Sequence, residues 1–445
     1  MSATQQLVDF VYHLDPARVS DPLLHHATRC VLDLIGVAIA GTRSLMSRIS
    51  HEWGVEQFAP GSCTVIGHPH GLNPCGATWV NGTFASALDM DDGNRPAMGH
   101  PGANIIPAAL ALAEQTCVSG REFLTALIAG YEVAVRASAA RVGWYKDKMY
   151  STGIWGVFGA ATAAGKILNF DPATLQSALG IAGSHGPFPP GGLQANHAMV
   201  KEVIAWSGMT GVAAALLAQR GFIGPPDLLD YSGRWDTSAL VKDLGDDYAI
   251  THTYFKPYAV CRWAHSAVDA VLMLKQQYRL NVDEIQKIRV DSFWEVTRLV
   301  NYTPSNTIAA QFSIPFALAV ALLYDQIMPE HVSDTTRRNP AVLELARKVE
   351  VIVDEDLNRH FPNKTMARVT IQMPQGAVQT LVEYPRGNPE NPLSDAELTD
   401  KFRALTVPLI GAERSGKLVA AIHNLVHAPN VHALTTLLRD PFIQS

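Results

Sequence analysis

The sequence is poor in charged residues, in aromatic residues and in cysteine. Of its 445 residues, 17% are charged and 8% are aromatic, and 35 Lys and Arg against 41 Asp and Glu give a formal net charge of −6. Without a basic excess to neutralise phosphates, a general nucleic-acid binder is excluded. The cysteines are widely spaced and form no C-x-x-C pair, which argues against a disulfide framework or a zinc ribbon; they are Cys30, Cys63, Cys75, Cys117 and Cys261.

Long hydrophobic runs are also absent. No apolar stretch reaches the roughly 20 residues that a membrane span needs. The first twenty residues lack the basic start and apolar core of a signal peptide. We therefore expect a cytoplasmic protein with no membrane association. The hydrophobic fraction of 47% is enough for a large buried core.

Two kinds of residue pattern divide the chain. Helical spacing of apolar residues dominates the first 270 residues and returns in the last 50. Between them, β-forming runs alternate with helical segments. We therefore predict a two-domain fold, with a large all-α helical domain of residues 1–270 completed by 396–445, and a smaller α+β domain of residues 271–395. The predicted helices include 21–41, 104–117, 121–141, 153–168, 199–220 and 306–324, and the predicted strands include 287–296, 349–353, 367–373 and 378–383. Glycine and alanine in 153–168 predict a buried packing helix. The stretch PRGNPENPLSDAEL is turn-rich, and Ser394 with Glu397 in it resembles a capping box.

The densest polar cluster is the segment ALDMDDGNRPAMGHPG, which its glycines and prolines predict to be a loop. Its carboxylates, Asp89, Asp91 and Asp92, repel one another, so a fold keeps them together only beside cations, a metal or a substrate. The alternative is a solvated acidic turn ahead of the next helix. Carboxylates suit magnesium, but Arg95 and His100 in the same segment favour a metal-free anion site.

Two basic residues in other segments are candidates for acid–base chemistry. Lys201 lies in MVKEVIAWSGMTG, a largely apolar predicted helix. Burial would favour its uncharged amine and make it a proton carrier; otherwise its stem lies along the surface with the ammonium in water. His265 begins a predicted helix in KPYAVCRWAH. A lone histidine there is usually structural, but Lys256 and Arg262 just upstream form a cationic entry to that helix.

A third segment, GWYKDKMYSTG, combines proton donors with cations. It contains Tyr145, Lys146 and Tyr150 just before a Gly- and Ala-rich helix. The alternative interpretation of these residues is an exposed loop.

Together these segments resemble the MmgE/PrpD family. The matching stretches cover nearly the whole chain and include CVLDLIGVAIAG, NGTFASALDMDDGNRPAMGHPG, STGIWGVFGAATAAGKIL and KPYAVCRWAHSAVDA. The resemblance implies an all-helical domain with a smaller α+β lid domain, a homodimer, and a small-molecule polycarboxylate as substrate. It also implies a reaction that uses neither a metal nor an organic cofactor.

The resemblance carries functional roles onto Asp89, His100, Lys201 and His265. Gly93 departs from the family pattern, since many members have threonine there, and Tyr150 stands where others have histidine. Because of these departures we predict an epimerase that moves a proton at the α-carbon of a polycarboxylate such as iminodisuccinate. The alternatives are a dehydratase of 2-methylcitrate or a related hydroxy-tricarboxylate, and a cis-aconitate-type decarboxylase. The predicted catalytic residues are Asp89, His100, Tyr150, Lys201 and His265, and the predicted substrate-binding residues are Arg95, Tyr145, Lys146 and Arg262.

Overall fold

Helices that pack around a central apolar helix form the first half of the chain. The computed structural model describes residues 1–143, 151–188 and 198–442. The helices of this half are α1 (Ala3–His13), α2 (Asp21–Gly41), α3 (Leu45–Gln57), α4 (Pro74–Ser86), α5 (Pro101–Thr116), α6 (Gly120–Ala139), α7 (Gly153–Ile167), α8 (Pro172–His185), α9 (Ile204–Ala218) and α10 (Thr237–Val241). Two short antiparallel pairs accompany them, β1 (Pro60–Gly61) with β2 (Gly71–Leu72) and β3 (Gly93–Asn94) with β4 (Thr253–Tyr254).

Helix α2 is a buried helix that packs on α4 and on a long helix near the end of the sequence. It begins at Asp21 with Pro22 in its first turn and ends at Gly41, as predicted. A Cβ on Gly41 would lie 2.0 Å from the carbonyl oxygen of Phe84, so glycine lets α2 end directly against α4. By length and composition α2 would be able to cross a membrane, but 83% of its apolar window is buried inside the protein. It is therefore a core helix here.

Small residues bring α6 and α7 close together. A Cβ on Gly159 would lie 2.7 Å from the Cβ of Ala134 and 2.8 Å from the carbonyl oxygen of Gly130. Helix α7 carries the Gly- and Ala-rich segment, and it packs against α5, α6, α8 and α9. The segment predicted as a packing helix is thus buried in the middle of the bundle.

The second part of the chain is a four-stranded sheet with helices. The strands β5 (Lys287–Ser292), β6 (Val349–Val353), β7 (Ala367–Met373) and β8 (Gly376–Val382) lie in the order β6-β5-β7-β8. Strands β5 and β6 are parallel, and the other pairs are antiparallel. The accompanying helices are α11 (His265–Tyr278), α12 (Thr307–Gln311), α13 (Ile314–Tyr324), α14 (Asp334–Arg337), α15 (Pro340–Arg347) and α16 (Glu355–Asn358).

The chain then returns to the helical bundle through α17 (Asp395–His423) and α18 (His432–Arg439). The predicted capping box forms at the start of α17, where Ser394 and Glu397 exchange hydrogen bonds. Helix α17 packs on α2, and a Cβ on Gly36 would lie 2.9 Å from the Phe402 ring. The contact places a helix from the end of the sequence beside the first core helix.

Three predicted elements differ from the structure. The helix expected over 199–220 begins only at Ile204, because Lys201, Glu202 and Val203 have left-handed backbones with φ of 40°, 56° and 59°. The helix expected over 306–324 is divided between α12 and α13, where the Ser313 side chain caps α13. The strand expected over 287–296 ends at Ser292 and gives way to a 3₁₀ turn over Trp294–Leu299.

Candidate active site

Polar segments from both parts of the chain meet at one buried cluster. The loop between α4 and α5 carries the acidic residues, the turn before α9 carries Lys201, and the segment between β4 and α11 carries Lys256 and Arg262. Pairing of β3 with β4 joins the first of these segments to the third. A short backbone ladder therefore brings together residues that lie more than 150 positions apart in sequence.

Asp89 is the centre of the cluster. Its Oδ1 lies 3.3 Å from the Lys201 ammonium, and its Oδ2 lies 3.1 Å from the Lys256 ammonium. Burial alone would raise the pKa of Asp89, but the two lysines outweigh burial and hold that pKa well below its usual range. Asp89 is thus a fixed negative charge between two buried cations.

The position of Lys201 depends on an unusual backbone. Three consecutive left-handed residues cost about 1–2 kcal/mol each, and the surrounding structure must offset that strain. The Lys201 ammonium donates to Oε1 of Gln311 at 3.1 Å and lies 5.0 Å from the Phe312 ring centroid. Gln311 is fixed in turn by its donation to the Ala87 carbonyl oxygen at 3.1 Å. The left-handed turn ends before α9 begins, and it directs the Lys201 side chain into the buried cluster.

His100 faces the same cluster. Its Nδ1 lies 3.3 Å from Asp91 Oδ2 and 3.2 Å from the Asp92 carbonyl oxygen, and its Nε2 lies 3.9 Å from Asp89 Oδ1. Burial alone would lower the pKa of the imidazole, but Asp91, helped by Glu202, raises it to about 9. His100 is therefore an imidazolium at neutral pH and can act as a general acid.

Asp92 is held apart from these cations. Its carboxylate accepts hydrogen bonds from the Tyr131 hydroxyl at 2.5 Å and from the Gly102 amide at 2.9 Å, in the first turn of α5. Burial raises the pKa of Asp92 to about 7, although the hydrogen bond from Tyr131 opposes that shift. The two aspartates at 91 and 92 thus differ in role: Asp91 faces His100, and Asp92 anchors the loop to α5.

Glu202 places a further carboxylate at the site. Its Oε2 accepts hydrogen bonds from the Thr152 amide at 2.9 Å and from the Thr152 hydroxyl at 2.5 Å, at the start of α7. The same hydroxyl accepts from the His100 amide at 3.1 Å. Thr152 therefore links the backbone of His100 to the side chain of Glu202.

Two guanidinium groups border the cluster. Arg262 is 9% exposed, lies 4.7 Å from the Tyr254 ring centroid and donates to Asn388 Oδ1 at 2.5 Å. Arg95 donates to Glu390 Oε1 at 2.6 Å. In each arginine, Nη1 is buried and has no hydrogen-bond partner among the described residues. Because a buried unpaired donor is costly, these two nitrogens are suited to bind a ligand carboxylate.

These groups surround a small cavity of about 80 Å³. Its polar wall consists of Asp89, Asn94, Arg95, His100, Glu202, Tyr254, Cys261, Arg262 and Thr365, and its less polar wall includes Met98, Trp263, Leu299, Phe312, Phe361 and Pro362. The space has room for two or three water molecules at roughly 30 Å³ each. A polycarboxylate therefore requires the walls to move apart.

Gly93 is explained by Tyr254. A Cβ on Gly93 would lie 2.3 Å from the Tyr254 hydroxyl oxygen and ring. The tyrosine ring therefore fills the space that any larger residue at 93 would need. Burial raises the pKa of Tyr254 far above its usual value, so the hydroxyl keeps its proton and remains a hydrogen-bond donor at the cavity.

His265 lies behind the cavity wall. It is fully buried, its Nε2 lies 3.1 Å from the Val260 carbonyl oxygen, and its Nδ1 has no hydrogen-bond partner among the described residues. Burial and the nearby Arg262 and Lys256 cations lower the pKa of His265 well below its usual value. A neutral His265 ring contacts the backbone of the segment that carries Lys256 and Arg262, and it does not line the cavity.

Three residues of the cluster have the spacing of metal ligands. Ligand atoms of Asp89, Asp91 and His100 lie within 4.8 Å of one another, which a metal ion would tolerate. However, both oxygens of Asp89 already contact ammonium groups, and His100 carries its own positive charge. These donors fit fixed protein cations better than a metal.

The structure brings five of the nine predicted site residues together and leaves one behind the wall. Asp89, Arg95, His100, Lys201 and Arg262 meet at the cluster, and His265 adjoins it. Tyr145, Lys146 and Tyr150 lie outside the described residues. The sequence analysis noted Lys256 as part of a cationic helix entry without assigning it to the site, and it missed Glu202, Gln311 and Asn388, which carried no signal.

Comparison with known proteins identifies the family of the chain. The MmgE/PrpD N-terminal domain matches residues 5–241, and the MmgE/PrpD C-terminal domain matches residues 258–425. The chain is 26% identical to a cis-aconitate decarboxylase-like protein, oryM, of Aspergillus oryzae, over 98% of this chain and 97% of the relative. It is 26% identical to a cis-aconitate decarboxylase of Aspergillus terreus (98% and 96%) and 27% identical to that of Homo sapiens (99% and 95%). With both domains matched in order over most of its length, the chain belongs to the MmgE/PrpD family.

Proposed function

We propose that the protein is a lyase that decarboxylates cis-aconitate or a closely similar unsaturated tricarboxylate. The observation that carries the proposal is the meeting of His100, whose pKa Asp91 raises to about 9, with Arg95 and Arg262 at one cavity, each arginine with a buried Nη1 that has no partner among the described residues. The names of the relatives support the same reaction, and they favour it over the epimerase that the sequence suggested.

The reaction needs electrostatic stabilisation and one proton. The bond to the departing carboxylate breaks, its electron pair forms a new C=C bond, and the pair of the old C=C bond moves to the neighbouring carbon. That carbon takes a proton, and CO₂ leaves with an unsaturated dicarboxylate as product. His100 supplies the proton, while Arg95, Arg262 and Lys201 hold the remaining carboxylates and the developing negative charge.

The test is CO₂ release from cis-aconitate by the purified protein. We expect His100→Gln and Lys201→Met to lower the rate at least 100-fold, with Lys287→Met as the control, because Lys287 forms only an exposed ion pair with Glu350. A wild-type protein that releases no CO₂ above background, or site variants as active as the control, would overturn the proposal.

One observation keeps the epimerase as the second candidate. Inversion needs an acid and a base at one carbon, and the cavity has both a charged imidazolium at His100 and a carboxylate at Glu202. Exchange of solvent deuterium into the α-carbon of iminodisuccinate, with no CO₂ release from cis-aconitate, would select this candidate. A dehydratase would convert a hydroxy-tricarboxylate into an unsaturated product, which would be recognised by its new ultraviolet absorbance.

We also propose that a second copy of the chain covers an aromatic face beside the site. Trp53, Trp79 and Trp206 cluster with ring centroids 4.6–6.4 Å apart, and Met199 and Val200 extend this face while 44% and 62% exposed. The face leads directly into the strained turn at Lys201. Light scattering should give twice the chain mass, and Trp206→Glu should give the mass of one chain; a monomeric wild type would contradict the pairing.

A further inference from the structure

Arg95 and Arg262 line the same cavity but have different partners, a carboxylate for Arg95 and an amide for Arg262. Arg262 is fixed by the uncharged amide of Asn388 and forms no direct ion pair among the described residues, although the Asp269 and Glu390 carboxylates act on it at longer range. Arg95 is paired with the carboxylate of Glu390 at 2.6 Å. Both arginines retain a buried, unpaired Nη1 within the described part of the chain. The site thus offers one arginine that is ready for an anion and one that already holds an anion from the protein.

Both partners come from one short segment, Tyr384–Asn391, that lies between β8 and α17. The segment is held against the site by its backbone, since the Phe255 amide donates to the Gly387 carbonyl oxygen at 3.1 Å. Gly387 has φ of +94°, and a Cβ there would lie 1.8 Å from the Phe255 carbonyl oxygen, so only glycine allows this contact. Asn388 is 3% exposed, whereas a third of the Glu390 side chain is exposed. Glu390 can therefore leave Arg95 for water while Asn388 stays in place.

We propose that Glu390 is an internal carboxylate on Nη2 of Arg95, and that a substrate carboxylate which binds the free Nη1 displaces Glu390 to take both nitrogens. The proposal rests on the proposed polycarboxylate substrate. It makes Glu390 a specificity residue and Asn388 a positioning residue. A ligand that binds only Arg262 and the lysine cluster leaves Glu390 paired. A ligand with a further carboxylate replaces one carboxylate on Arg95 with another, and the displaced Glu390 is solvated.

This exchange discriminates by carboxylate number. Releasing a partly exposed ion pair costs little, because such pairs contribute only a few tenths to about 1 kcal/mol. The new charge-assisted hydrogen bonds to both arginines are formed out of water and are stronger. The exchange therefore favours tricarboxylates and gives a dicarboxylate no advantage.

The test measures binding with two unreactive probes, so that it is independent of the lyase activity. Propane-1,2,3-tricarboxylate and glutarate differ only in the central carboxylate, and calorimetry gives the Kd of each for the full chain. We expect Glu390→Gln to bind the tricarboxylate about two- to fivefold more tightly and glutarate unchanged. Arg95→Gln should weaken tricarboxylate binding at least tenfold with little effect on glutarate.

The matched control is Glu383→Gln, which removes the exposed ion pair of Lys364 and Glu383 near the same segment. It should change neither Kd. Circular dichroism must show that each variant is folded. Weaker or unchanged tricarboxylate binding by Glu390→Gln would show that Glu390 only fastens the segment, and equal tightening for both probes would show a general charge effect. Either result overturns the proposal, whichever reaction the enzyme catalyses.

Discussion

Lys256 and Asp89 form an ion pair that is closed off from solvent. Their charged atoms are 3.1 Å apart, the Lys256 side chain is fully buried, and Asp89 is 4% exposed. A buried pair of this kind adds little net stability, because desolvation costs about as much as attraction gains. Asp89 lines the cavity and Lys256 lies behind it, so we expect the pair to serve function by fixing the charge and position of Asp89.

Replacing Lys256 should therefore damage both activity and stability. In Lys256→Met, Asp89 keeps only Lys201 as its lysine partner, and we expect turnover to fall at least 100-fold. The free energy of unfolding should fall by about 1–3 kcal/mol, because Asp89 loses one charged partner and keeps Lys201. Denaturant titration and turnover below the unfolding transition measure the two effects. Full activity in folded Lys256→Met would refute this role.

The activity should depend on the protonation of His100. With a pKa raised to about 9 by Asp91, the imidazolium acid is present at neutral pH and is lost above pH 9. The rate should therefore fall on the alkaline side with a midpoint near pH 9, and Asp91→Asn should move that midpoint to lower pH. A pH–rate profile of both proteins is the measurement, and an unchanged midpoint in the variant contradicts the assignment.

The same shift predicts how stability changes with pH. The folded pKa of His100 is raised above the value of about 6.5 for an unfolded histidine, so its stabilisation is full below pH 6.5 and is lost as pH rises through 9. The stability difference between wild type and His100→Gln should shrink by on the order of 3 kcal/mol over that interval. Urea titrations at pH 6 and pH 9.5 test this, and a constant difference would count against it.

Glu202 should act through its neighbours. Its carboxylate helps to raise the pKa of His100 and accepts two hydrogen bonds from Thr152. Glu202→Gln keeps an acceptor but removes the charge, so the alkaline midpoint should move to lower pH by less than in Asp91→Asn. Glu202→Ala should also lose stability, by about 1 kcal/mol for each lost hydrogen bond. If Glu202→Gln leaves the pH–rate profile in place, Glu202 has no electrostatic role.

Helix α17 should support the loop that carries Asp89. Lys401 of α17 donates to Asp33 Oδ1 at 2.6 Å and to the Met90 carbonyl oxygen at 2.9 Å. Lys401→Met should lower the free energy of unfolding by about 3–5 kcal/mol and lower activity by loosening the residues around Asp89. The control is Lys417→Met on the same helix, whose exposed pair with Glu413 should contribute less than about 1 kcal/mol. Equal thermal midpoints for the two variants would contradict this support.

Periodicity and capping signals predicted most of the helical architecture. The start of α2 at Asp21-Pro22 and the capping box of α17 are local features, and both form as expected. The Gly- and Ala-rich α7 is buried, because small residues permit close helix contacts. Apolar periodicity, however, gives no sign of left-handed residues. The predicted helix therefore began at 199, before Lys201, whereas tertiary contacts hold Lys201 in a left-handed conformation and α9 begins at Ile204.

The sequence predicted that cations lie near the acidic loop, but it did not predict which cation pairs with which aspartate. Three neighbouring aspartates indicated nearby cations, but only the fold shows that Lys201 and Lys256 are those of Asp89. The segment Tyr384–Asn391 indicated a turn. Its contacts with Arg95 and Arg262 span more than 100 residues of sequence and carry no local signal.

The most direct test of the central claim is proton NMR of cis-aconitate incubated with the enzyme in deuterated water. The account predicts one equivalent of CO₂ and an unsaturated dicarboxylate with one solvent deuteron at the carbon that gained the proton, and no turnover by folded His100→Gln. Unchanged cis-aconitate with the wild-type enzyme, or equal deuterium incorporation by the variant, would contradict it.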